Sequence, residues 1–171
     1  KASGTGQGGI WHVSLCGLLR EQGIAPDAVV WVPSASNAAG LLDLVAGGVD
    51  LVPGSHPEGR SLIDAGKVRS LAILADQPST LYPQVPTGAQ ATGTKWAMGA
   101  WRGLAAPKNL PKAIEARLRA AVEKAYQSKE YADFMTQRGF GRRWAGPEEF
   151  AAFMAKEDEQ MGVVLKSVGL A

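Results

Sequence analysis

The sequence predicts an α/β chain that becomes all-helical towards its C-terminus. A short continuous apolar run of strand length occurs at Ala28–Val32, with further strand candidates at Val49–Val52 and Val68–Leu74. Stretches with apolar residues at helical spacing precede and separate them, the order expected of a parallel sheet with crossover helices. Beyond Pro111 only helical periodicity remains.

Taken in order, Ile10, Trp11, Leu15, Leu18 and Leu19 predict a helix over residues 10–22, stopped by Gly23 just past its last turn. Ala28–Val32 reads as a buried strand ended by Pro33. Ser34-Ala35-Ser36-Asn37 supplies capping side chains for a helix that runs through Ala38, Leu41, Leu42, Leu44 and Val45 to Gly47-Gly48. Val49–Val52 is the second strand, Pro53-Gly54-Ser55-His56-Pro57 its loop, and Ser61–Ala65 a short helix closed by Gly66. Val68–Leu74 is the third strand. Residues 76–95, rich in Pro, Thr and Gly, read as loop, and residues 97–106 as an extended segment stopped by Pro107. Helices follow at 112–128, 129–138 and 147–167, the last entered with Pro147 in its first turn. The expected division is a lobe over 1–98, a hinge or crossing segment over 99–111 and a helical segment over 112–171.

Bulk properties narrow the function. The chain has 171 residues, of which 46% are hydrophobic and 20% charged, as in an ordinary globular protein. A net charge of +2 without a dense Lys/Arg block gives no nucleic-acid footprint. No apolar run approaches the length of a membrane span. Cys16 is the single cysteine and cannot form an internal disulfide; it reads as a small buried hydrophobe. The two histidines and one cysteine lie at unrelated spacings, so no metal signature is present.

The chemistry-bearing stretch is Ser3-Gly4-Thr5-Gly6-Gln7-Gly8-Gly9-Ile10-Trp11-His12. Glycines allow close backbone approach, and the following helix offers unsatisfied N–H groups and a positive dipole end, so an anion site is expected. Gly4, Gly6 and Gly9 spell the dinucleotide fingerprint, yet no strand is expected before them. Asp27, at about the right distance for a ribose contact, precedes the strand Ala28–Val32, which would be the second of a dinucleotide fold, instead of ending it. Ser55, His12 or His56, and Glu58 could be drawn as a hydrolase triad, but no G-x-S-x-G elbow exposes the serine. As a general base, His12 would need a nucleophile or a positioned water, and Ser14-type neighbours are what the helix offers it. Arg102, in an apolar extended segment, needs a carboxylate, either an internal Asp or Glu or a ligand. Trp31 and Trp101 are candidates for pocket walls or core filling.

Several phrases recur in a familiar order: Gly6-Gln7-Gly8-Gly9-Ile10-Trp11-His12, then Val32-Pro33, then Asp43-Leu44-Val45-Ala46-Gly47-Gly48-Val49-Asp50. Ala65–Ala72, Pro83-Gln84-Val85-Pro86-Thr87, Trp101–Pro107 and Pro147-Glu148-Glu149-Phe150 complete them. Together they resemble the Bug/TctC family, the extracytoplasmic solute receptors of tripartite tricarboxylate transporters, over essentially the whole chain. The resemblance implies a type II periplasmic-binding lobe, with C-terminal helices returning towards a first lobe that lies N-terminal of Lys1. It implies a periplasmic receptor that catalyses nothing, uses no cofactor, takes a small carboxylate as ligand and delivers it to membrane subunits. One arm of the carboxylate pincer would be the loop Gly6, Gln7, Gly8 and Gly9 with His12. Ser34, Ser36, Ser55 and Arg102 are second-rank ligand contacts. A lone lobe is expected to bind weakly.

Against that pattern, Gly9 stands where the family has Ser, Ser34 where it has an aromatic residue, and Ser36 where glycine is frequent. A family Asp is replaced near Gly54-Ser55, and Arg102 stands at an aromatic position. These departures favour a ligand with anionic or hydroxyl groups over an amino acid. The competing readings are a nucleotide-dependent oxidoreductase, a Ser/His hydrolase, and a receptor-like domain that senses carboxylates for a signalling partner.

Overall fold

The computed structural model describes residues 1–171, which form two compact units: Lys1–Ala100 with Gly146–Ala171, and Trp101–Ala145. The predicted helical segment 112–171 is therefore shared between both units.

In the first unit, β1 (Ala2–Gly4) pairs in parallel with β2 (Trp31–Pro33), Ala2 opposite Trp31 and Gly4 opposite Pro33. Ala2 also bridges in parallel to Leu51, which places β1 in the middle. The strand β1 corrects the expectation that nothing extended precedes the glycine loop. Ala-Ser-Gly carries no apolar run, and its pairing partners are distant in sequence. The second predicted strand contracts to the single bridge at Leu51. The third, Val68–Leu74, is no ladder strand: its register point is Ile73 with Thr87, where Ile73 takes the Pro86 carbonyl and Gly88 returns a bond to Ile73. Prolines 83 and 86 have no N–H to give to a ladder, and Lys67 and Val68 fold back onto the Leu62 carbonyl.

Three helices follow the three parallel segments: α1 (Ile10–Glu21), α2 (Asn37–Val45) and α3 (His56–Asp64). A short α4 (Gly88–Thr92), missed in the sequence, is set by a Thr87/Gln90 capping box. Met98 then donates to the Leu74 carbonyl. The last helix of this unit, α7 (Pro147–Ser167 in chain order), packs on α1; its number allows for the two helices of the second unit. The core joins Val13 and Cys16 of α1 with Trp96, Met98 and Val164. Trp96 lies directly on Gly17, where a Cβ would stand 2.0 Å from the indole, and its Nε1 donates to the Ser14 carbonyl at 2.9 Å. Thus α1 is buried over residues 12–17, not only along the predicted apolar stripe.

The second unit holds α5 (Lys112–Gln127) and α6 (Lys129–Arg138). Ser128 ends one and caps the other, its Oγ accepting from the Tyr131 amide. The Arg142 guanidinium lies 4.8 Å from the Tyr126 ring centre and donates to the Tyr126 carbonyl.

Candidate functional site

Because β1, β2 and Leu51 run in parallel, the N-termini of α1, α2 and α3 all follow the C-terminal ends of these segments. Ligands of open α/β sheets bind outside that edge, and each helix start there favours negative charge by about 0.3–1 kcal/mol.

The three starts are built differently. Ser36 caps α2, its Oγ accepting from the Ala39 amide at 3.1 Å, and Ser34 Oγ donates to the Ser36 carbonyl. Ser55 and Glu58 form a capping box on α3. Glu58 Oε2 accepts from the Ser55 amide at 2.9 Å, from Ser55 Oγ at 2.7 Å and from Asn37 Nδ2 at 3.4 Å. So a carboxylate does stand beside Gly54-Ser55, supplied by Glu58, which the sequence reading had placed in the hydrolase triad. The first helix, α1, has no side-chain cap at Gly9. Its first-turn N–H groups have no partner within the helix.

The glycine loop is shaped from within. Gly8, at φ +80°, donates its N–H to His12 Nδ1 at 3.1 Å, and Gly9 donates to the Gly6 carbonyl at 3.0 Å. A Cβ on Gly9 would stand 2.9 Å from that same carbonyl. Trp31 Nε1 donates to the Thr5 carbonyl at 3.1 Å, and its ring faces His12 at 4.9 Å. Gly4 lies inside β1, where a Cβ would stand 2.8 Å from the Trp31 ring. The amides of Gly8 and Gly9 are therefore turned inwards, while those of Gly6 and Gln7 take no part in these bonds.

His12 is 6% exposed, and burial pulls its pKa below the ordinary histidine value. Nδ1 accepts from Gly8, so the neutral ring carries its proton on Nε2, 3.4 Å from Cys16 Sγ. The thiol in turn donates to the Pro26 carbonyl. Burial first, and Asp27 second, push the Cys16 pKa up, which keeps the thiol protonated and unreactive. Both ring nitrogens of His12 are engaged. A cavity of about 220 Å³ opens beside it, lined by Gln7, His12, Pro26, Asp27, Trp31 and Val168 among others.

The hydrolase triad is not assembled. His56 Nε2 pairs with Ser70 Oγ at 2.9 Å and its ring meets Tyr82, while Ser55 Oγ is committed to Glu58. Arg102 belongs to the second unit, is exposed, and donates Nη1 to the Trp101 carbonyl. The other candidates, Gly6 to Gly9, His12, Ser34, Ser36 and Ser55, are all in the first unit. No cluster of His, Cys, Asp or Glu is arranged to hold a metal ion, and no helix is long and apolar enough to cross a membrane. The residue that the sequence reading passed over is Asn37, buried at the first position of α2.

Comparison with known proteins places this geometry in context. The model of the tripartite tricarboxylate transporter family receptor, TctC, matches residues 2–170. A UPF0065 protein from the tcbD-tcbE intergenic region of a Pseudomonas species is 32% identical over 130 residues, covering 75% of this chain and 39% of that protein. Protein BugT of Bordetella pertussis is 28% identical, covering 83% and 44%. MatC from Rhodopseudomonas palustris, solved with bound malate, superposes with a TM-score of 0.74 at 27% identity, over 96% of this chain and 56% of that one. A second R. palustris protein, solved with adipate, shares the fold with a TM-score of 0.81 at 22% identity, over 99% and 56%. The chain thus spans about half the length of the proteins it matches.

Proposed function

The chain belongs to the TctC family of tripartite tricarboxylate transporter receptors, and on that premise we propose that it supplies the ligand-binding lobe of an extracytoplasmic receptor for a small organic carboxylate. The observation that carries this reading is the uncapped start of α1 beneath a glycine loop whose Gly6 and Gln7 amides are not used internally. Malate bound to the related MatC supports a carboxylate in particular.

In the proposed mechanism, the amides of Gly6 and Gln7 and of the first turn, Ile10 and Trp11, receive the carboxylate. A hydrogen bond to a charged acceptor is worth about 1.5–3 kcal/mol, more than a neutral one. Gly8 and Gly9 shape the loop and His12 holds it. The hydroxyls of Ser34, Ser36 and Ser55 are engaged at the helix starts; they contribute polarity at the rim. Arg102, in the proposed hinge 99–111, is a contact proposed on charge alone. Stronger binding to a closed state of two lobes would drive closure, with no bond made or broken. Delivery to membrane subunits and a periplasmic location belong to the same proposal.

Calorimetric titration of the full-length protein with malate, citrate, tartrate, glutamate and aspartate tests it. Saturable binding of one of these is expected. Binding of NADH in a fluorescence titration, or turnover of a generic ester, rejects the receptor in favour of an oxidoreductase or a hydrolase.

A further inference from the structure

We propose that the ligand carries a hydrogen-bond donor, a hydroxyl or an ammonium, next to its carboxylate, and that Asn37 Oδ1 receives it; the inference rests on the carboxylate-receptor reading.

Asn37 is 4% exposed and is the first residue of α2. Its amide orientation is fixed by chemistry. Glu58 Oε2 can only accept, so the Asn37 NH2 must face it, at 3.4 Å. Oδ1 then lies between Gly4 and Gly54, where a Cβ on either would stand 3.6 Å from it. It has no hydrogen-bond partner. The Cβ on Gly54 would stand closer still to Nδ2, at 2.1 Å. Gly54, just past the Leu51 bridge, leaves the room this amide occupies, whereas the crowding at Gly4 comes from the Trp31 ring. A buried carbonyl oxygen without a donor is unfavourable, and native proteins rarely keep one. Gly4 leads straight into the loop whose amides are proposed to take the carboxylate. Gly4 thus adjoins both the loop amides in sequence and Asn37 Oδ1 in space, and the ligand matching both presents a carboxylate with an O–H or N–H close by. A site built to bond such a group discriminates strongly against the analogue that lacks it.

Calorimetry on the full-length protein with matched pairs reads this directly. Succinate gains a hydroxyl in L-malate and an ammonium in L-aspartate, and tricarballylate gains a hydroxyl in citrate. The expected result is that at least one donor-bearing member binds tenfold or more tightly than its partner acid. Malate preferred over aspartate assigns a hydroxyl, and the reverse assigns an ammonium. In Asn37→Leu the ratio is expected to fall towards one while the plain acid is held within a few-fold. Should that variant fail to fold, the double variant Asn37→Asp with Glu58→Gln preserves the paired side chains and keeps the preference. Plain acids binding as tightly as their donor-bearing partners would mean that Oδ1 is served by water, overturning the inference and leaving the receptor reading intact. No binding to any of these acids, nor to tartrate or glutamate, would sink both.

Discussion

Gly8 donates its backbone N–H to Nδ1 of His12 at 3.1 Å, tying the glycine loop to the helix it precedes. His12 lies four positions on, in the first turn of α1, so its side chain reaches back to a main-chain donor of the loop. In the proposed site, this bond takes the Gly8 amide out of the set offered to a carboxylate. His12→Ala is expected to loosen the loop and weaken carboxylate binding about tenfold. His12→Asn, whose Oδ1 can accept in place of Nδ1, is expected to recover most of it. Calorimetry on the two variants checks this, and equal affinities would contradict it.

Stability should fall with acid in the window where histidines titrate. Burial lowers the pKa of both His12 and His56 below the ordinary value of 6.5. As pH drops through that value, the unfolded chain binds protons that the folded chain refuses, so unfolding becomes easier. Urea midpoints at pH 7.5 and pH 5 are expected to decline for the wild type. In His12→Asn the decline should be smaller, with the His56 part remaining. An unchanged slope in that variant would contradict the neutral, buried His12.

The Trp96–Gly17 contact admits no side chain. In Gly17→Ala the new Cβ would meet the indole at 2.0 Å, and Trp96 is held in place by Ser14. Overpacking of this kind costs about 1–3 kcal/mol. Gly99→Ala, with nothing within 4 Å, is the matched control and should change stability by less than about 1 kcal/mol. Urea denaturation of both variants measures the difference.

Much of the fold was legible because its signals are local. Gly23, Ser128 and Pro147 mark helix ends that the structure places within a residue of expectation. Ser55-x-x-Glu58 is also local, a capping box that would have started α3 at His56 instead of Ser61 had it been read as one. By contrast, β1 rests on partners at Trp31 and Leu51, and the isolated bridge at Ile73 on Thr87; non-local pairing leaves no mark in a short stretch. The same division holds at the site. An anion loop is visible in the glycines, because their freedom is a property of single residues. The inward turn of the Gly8 and Gly9 amides, and the orphaned carbonyl of Asn37, depend on tertiary neighbours and were not visible.

Main-chain N–H groups at the start of α1 are the proposed carboxylate donors, and backbone amide NMR of the full-length protein during a malate titration reads them one by one. Saturable shifts are expected for Gly6, Gln7, Ile10 and Trp11, with Gly8 and Gly9 much less affected. Saturation that leaves these amides unmoved while shifting others would contradict the proposed site.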